Sequence, residues 1–194
     1  ELQKDPWVAS ATYERQFPNT LRITITERKV TALVALSSGP VAWYLGENNV
    51  WLEADQLNVP EGKTTATVAL EKATSEGELL ITDVPATVSP VAGTTATDAE
   101  IQAVMQYQST FSSELTSQIV SYSASSVDAI SVTLTNGVQV ALGSPTQIAD
   151  KEKVILAMLK QFPGELTYLN VRTPASPTYR RVSTGNVQSG SGVS

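Results

Sequence analysis

The chain has 194 residues, 41% of them hydrophobic, and carries a net charge of −6 from 19 acidic and 13 basic side chains. It contains no cysteine and no histidine, which excludes thiolate nucleophiles, imidazole bases, disulfide scaffolds and the usual zinc ligands. The acidic balance and the 6% aromatic content argue against a surface that tracks phosphates or stacks bases, so no nucleic-acid partner is expected.

Residues 1–6 read as the tail of a helix ending before Pro6. Next, Ala11, Tyr13, Arg15 and Phe17 alternate with polar residues. Pro18-Asn19 is turn chemistry, and Leu21, Ile23 and Ile25 alternate with Arg22, Thr24 and Thr26. This period of two marks a hairpin with one apolar face. An αββ unit of this size cannot bury that face alone. Because the chain opens on Glu1 in mid-pattern, it is expected to be a piece of something longer.

Further strands are expected at Val30–Leu36 and at residues 41–45, with a tight turn at residues 46–49 before Val50, Trp51 and Leu52. Residues 60–78, rich in Thr, Gly and Glu, read as a loop or peripheral hairpin around a strand-like patch at residues 67–70. Residues 79–82 read as a short buried strand. A helix starts near Thr97, the expected cap, and places Ile101, Val104 and Met105 on one stripe to about Phe111.

Strands resume at residues 117–123, 129–135 and 138–142, the last two joined by Asn136-Gly137, the strongest short hairpin signal in the chain. A second helix is expected over Ile148–Gln161, ended by Pro163-Gly164. The final strand is read at residues 166–172, with Leu169 and Val171 on one face. The Ser/Gly-rich end, from residue 183, has too little apolar surface to fold. The resulting fold class is α+β, with a mostly antiparallel sheet and two helices in its main domain.

Taken together, these segments resemble the FtsQ/DivIB family of bacterial cell-division proteins. Trp7-Val8, Ala11, Arg15, Pro18-Asn19-Thr20-Leu21, Ile23-Thr24-Ile25 and Glu27-Arg28 fit the end of that family's POTRA domain, with Tyr13 in place of the usual valine. Val30-Thr31-Ala32 stands where the family has Pro-x-Ala, which softens the junction. Within the β domain, residues 136–143 fit a glycine-containing hairpin and residues 151–159 the C-terminal helix. Residues 168–172 fit the following strand, with Asn170 for aspartate. Residues 43–51 and 80–83 are similar to earlier motifs, with Asp83 where glycine is usual.

The resemblance implies three regions: residues 1–32 as the C-terminal half of a POTRA-like domain (αββ), 33–175 as an FtsQ/DivIB-type β domain, and 176–194 as a flexible tail. It further implies a non-enzymatic assembly protein at the division septum, lying outside the cytoplasm and anchored in the cell membrane by a single N-terminal helix beyond this sequence. The end of the β domain would recruit FtsB/DivIC-like and FtsL-like proteins by strand addition. Should residues 166–172 lie at a sheet edge, their free N–H and C=O groups offer a template for a partner strand. Leu169, Asn170, Val171, Arg172 and Thr173 would form that edge, with Tyr179, Arg180 and Arg181 beside it, and Val171→Pro would weaken capture by removing an edge donor. The plainer alternative is a structural strand followed by a linker.

Glu27 and Arg28 read as charges at the domain junction. Trp43 and Trp51 read as core residues around the Gly46 turn, or else as a ligand platform. Asp98, Glu100 and Glu114 read as helix-start charges, not an acid–base pair. Asp128 and Asp150 lack the calcium-loop pattern, so no metal and no cofactor are expected. The alternative function is a secreted or surface α+β protein-binding module unrelated to division; a carboxylate-dependent hydrolase is a poor third reading, given the absence of histidine and the scattered acids.

Overall fold

The structure, a computed structural model, describes residues 4–182. β1 (Val8–Gln16) and β2 (Thr20–Glu27) form an antiparallel two-stranded hairpin. Its register pairs Ala11 with Ile25, Tyr13 with Ile23 and Arg15 with Leu21, so these side chains share one face. That face is open among the described residues: Tyr13 is 81% exposed and Ile23 51%. Of the helix tail expected at residues 1–6, Lys4 is in 3₁₀ conformation, Asp5–Trp7 is a turn in which Asp5 accepts from Trp7 N and Val8 N, and residues 1–3 lie outside the described residues.

A nine-stranded sheet follows, in the order β11-β10-β9-β8-β7-β6-β3-β4-β5. Its strands are β3 (Val30–Leu36), β4 (Val41–Gly46), β5 (Val50–Gln56), β6 (Leu79–Val84), β7 (Ile119–Ala124), β8 (Ile130–Leu134), β9 (Gln139–Ala141), β10 (Leu166–Asn170) and β11 (Thr178–Arg181). Of the eight neighbouring pairs, β3/β6, β6/β7 and β9/β10 are parallel and the other five antiparallel. The α+β class with a mostly antiparallel sheet therefore holds.

The four α-helices among the described residues are α1 (Thr65–Glu76), α2 (Ala99–Thr110), the short α3 (Ser113–Thr116) and α4 (Ile148–Gln161), where the sequence pointed to two. Ile101, Val104 and Tyr107 of α2 and Ile155 of α4 cover one face of the sheet, against Ala32, Val34 and Ile81. On the opposite face, Ala69 and Ala73 of α1 pack on Leu33, Ala35 and Leu80. β3 is thus buried on both sides, which is why its sequence is a continuous apolar run without alternation.

α1 replaces the loop or hairpin expected at residues 60–78. Thr64 Oγ1 accepts from Thr67 N at 3.2 Å, and Gly77 ends the helix at φ 76°, a left-handed conformation that costs glycine little. Its buried stripe consists of alanines, whose weak apolar signal hides the period but lets the helix lie close to the sheet. The N-cap position of α2 is Asp98, not Thr97, and its side chain makes no capping hydrogen bond. At the hairpin turn, Gly137 has φ 82° and Val138 N donates to Asn136 Oδ1 at 3.1 Å.

Trp51 is 2% exposed and meets the half-buried Trp43 edge-on at 6.2 Å, so the pair packs in the core. Asp98, Glu100 and Glu114 sit at the starts of α2 and α3. No cluster of three acidic groups capable of holding a metal occurs among the described residues. No helix there is long and apolar enough to cross a membrane.

Candidate partner-docking edge

Residues 166–172 are not the last strand and do not form the edge. β10 is paired on both sides: Tyr168, Leu169 and Asn170 lie parallel to Gln139, Val140 and Ala141, while Leu169 opposes Tyr179 and Asn170 opposes Thr178 across an antiparallel ladder. Val171 N donates to Ala141 O at 2.9 Å, so it is no free edge donor. Leu169 and Val171 are both 0% exposed and belong to the core shared with α2 and α4. Asn170 is half-buried, and its Oδ1 accepts from Arg172 N at 3.1 Å. Arg172 and Thr173 are exposed beyond the strand, with the Arg172 stem seated against Gly143, where a Cβ would approach it to 3.0 Å.

The edge strand at this end of the sheet is β11, β5 being the strand at the other end; β11 lies inside the segment expected to be a flexible tail, and the rest of that tail, from residue 183, lies outside the described residues. All four β11 residues are exposed. Val182 N donates inward to Glu165 O at 2.7 Å, and Arg180 O accepts inward from Thr167 Oγ1 at 3.3 Å. Antiparallel alternation then turns the N–H and C=O of Tyr179 and Arg181 outward. Among the described residues nothing pairs with that outer side.

Side chains stiffen this edge from both faces. On the α4 face, Tyr179 stacks on Phe162 with ring centroids 5.1 Å apart, and the Arg181 guanidinium lies 4.9 Å from the Phe162 ring. Arg181 also reaches Glu165 at 3.4 Å, an exposed pair of small energetic weight. On the other face, Arg180 lies 5.0 Å from the ring of its cross-strand neighbour Tyr168. Three residues, Phe162, Glu165 and Tyr168, thus complete a site for which the sequence offered Tyr179, Arg180 and Arg181. Only Pro177 ahead of Thr178-Tyr179 signals a strand there, since a four-residue edge strand exposed on both faces has no apolar alternation to read.

Behind the edge, α4 is anchored by an unusual buried cation. Lys151 is 1% exposed and donates to Ser144 O at 2.6 Å and Tyr107 Oη at 2.9 Å. Burial pushes its pKa below the ordinary lysine value, and burial pushes Tyr107 above the ordinary tyrosine value. Tyr107 Oη also contacts the carbonyls of Leu142 and Gly143 at 3.3 and 3.1 Å, so the pair secures the connection from β9 to α4.

Two family models match in the same order as the elements. The POTRA domain, FtsQ-type, matches residues 1–28, and Cell division protein FtsQ/DivIB, C-terminal, matches residues 66–172. The chain belongs to the FtsQ/DivIB family of cell-division proteins. It is 29% identical over 176 residues to proteins named Cell division protein FtsQ from Mycobacterium tuberculosis and Mycobacterium bovis. That alignment covers 89% of this chain and 46% of each relative, so the chain spans about half their length. The FtsQ/DivIB C-terminal match ends at residue 172, before β11 begins.

Proposed function

We propose that this chain is the extracytoplasmic part of a membrane-anchored, non-enzymatic division protein. In this reading its sheet captures a strand from a small bitopic partner of the FtsB/DivIC or FtsL kind. The carrying observation is the outer side of β11, where the backbone groups of Tyr179 and Arg181 face outward with no partner strand among the described residues. A strand laid there would extend the sheet by one ladder. Affinity would come from main-chain hydrogen bonds and selectivity from side chains meeting Tyr179 and Arg181 on one face and Arg180 on the other. Leu169 and Val171 support the edge from within, and Arg172 and Thr173 border it. The hairpin carrying residues 8–27 would serve localisation.

Comparing Tyr179→Pro with Tyr179→Ala tests this. Both variants lose the Phe162 stack, and only proline also removes the outward N–H. One net hydrogen bond of about 1 kcal/mol corresponds to roughly fivefold in Kd. Calorimetric titration with the extracytoplasmic segment of the FtsB/DivIC-type partner from the same genome should therefore show proline binding roughly fivefold more weakly than alanine. Equal affinities, with both sheets folded by circular dichroism, would refute strand addition at β11.

A further inference from the structure

Hydrogen bonds and a ring contact join the hairpin to the sheet at two points. At the first, the chain leaving β2 places Arg28 across the end of β4. Arg28 N donates to Trp7 O at 2.7 Å and its Nε to Pro6 O at 3.1 Å, both at the base of the hairpin. The other arm of the same guanidinium, Nη1, donates to Glu47 O at 3.0 Å, in the turn between β4 and β5. Glu47 N returns a bond to Lys29 O at 2.9 Å. The stem of Arg28 fits because residue 46 is glycine: a Cβ there would lie 2.6 Å from Arg28 Cδ and 3.0 Å from Leu52 Cδ2. Gly46 is fully extended, at φ −100° and ψ −179°, so space and not backbone freedom explains the residue.

At the second point, Trp7 leans on Tyr44 of β4 with ring centroids 6.1 Å apart. Tyr44 is itself fixed from α1 and β5. Its hydroxyl bonds to Glu76 at 3.0 Å, and Lys72 Nζ lies 5.5 Å from its ring while bridging Asp55 and Glu76 at 2.8 Å each. The hydrogen bonds to Asp55, then to Glu76 and Tyr44, hold the Lys72 pKa above the ordinary lysine value. Tyr44 is therefore a rigid platform and not a loose surface ring.

We infer that Arg28 and the Trp7–Tyr44 contact form a two-point clasp that fixes the angle between hairpin and sheet, with Gly46 as the seat for the Arg28 stem. The lever is long. β4, which bears both points, lies seven strand positions from β11, about 34 Å at ~4.8 Å per spacing. A 20° rotation at the clasp would swing the β11 edge by about 12 Å, roughly two and a half strand spacings. The clasp thus aims the outer edge relative to the hairpin, whether or not that edge binds a strand.

The cysteine-free sequence permits a direct test. Spin labels at Glu14→Cys, on the polar face of the hairpin, and Lys160→Cys, at the exposed end of α4, report the angle as a distance distribution. The clasp requires one narrow distribution for the otherwise native chain. Arg28→Met, which keeps the stem and removes the guanidinium donors, should at least double its width, and so should Trp7→Ala. A native distribution as wide as that of the Trp7→Ala/Arg28→Met double variant would overturn the inference, as would a double variant as narrow as the native chain. The native width alone is decisive should a variant fail to fold. Partner titration plays no part, so failure of the clasp and failure of strand capture are separate results.

Discussion

Lys151 can be replaced in two ways that separate its packing from its charge. It sits in α4 at 1% exposure, with an ammonium bonded to Ser144 O and Tyr107 Oη and desolvation as the sole source of its lowered pKa. Lys151→Ala removes three methylenes beyond Cβ. At ~0.8 kcal/mol each, that is about 2.4 kcal/mol of transfer energy, and the residual cavity raises the loss to about 3–4 kcal/mol. Lys151→Met keeps most of the volume. It gives up charge-assisted bonds worth ~1.5–3 kcal/mol each, but it also removes an ammonium desolvation penalty of several kcal/mol. The two nearly cancel, leaving Met within about 1.5 kcal/mol of the native chain.

For a domain of this size 1 kcal/mol moves Tm by about 2–4 °C. Alanine should therefore lower Tm by roughly 6–16 °C, and methionine should change it by less than about 6 °C, read by calorimetry at pH 7. The pH dependence adds a second signature. With its pKa lowered in the folded state, Lys151 binds fewer protons folded than unfolded in the window below 10.5. Stability should rise with pH through that window, and the rise should vanish in Lys151→Met. Equal losses in Ala and Met would refute the reasoning, because the ammonium bonds and not the packing would then hold α4 in place.

Two further outcomes follow from the same physics. Thr64→Ala removes the N-cap of α1 and should cost about 1 kcal/mol, a Tm drop of about 2–4 °C; an unchanged Tm would leave residues 60–78 better described as a loop. Burial raises the pKa of Tyr44, Tyr107 and Tyr122 above 10.0. Their contribution is intact below pH 10 and is lost as pH rises beyond it, so Tyr122→Phe should shift the alkaline unfolding midpoint upward, and an unmoved midpoint in a fluorescence-monitored titration would count against it.

The sequence by itself determined the elements whose signals are local and strong. Ile148–Gln161 emerges with the bounds read from its apolar spacing, because a long helix with one apolar stripe has few alternatives. The β1–β2 face, β3 and the Asn136-Gly137 turn are legible for the same reason, and the order of these motifs along the chain carries the family. α1 was not legible, because its buried stripe is Ala69 and Ala73 and its remaining residues have the composition of a loop.

Which strand forms the edge is a different type of fact. Leu169 and Val171 alternate as an edge strand's inner face would, but they alternate equally well in a strand paired on both sides. Strand order is set by pairings between residues far apart in the chain, and β11 enters the sheet only through its ladder to β10. Only the tertiary structure could place the open edge at Tyr179, Arg180 and Arg181 and not at residues 169–173. The clasp at Arg28 has the same character, since the sequence marks a charge at a junction, whereas its three acceptors and the space above Gly46 come together only when the sheet has formed.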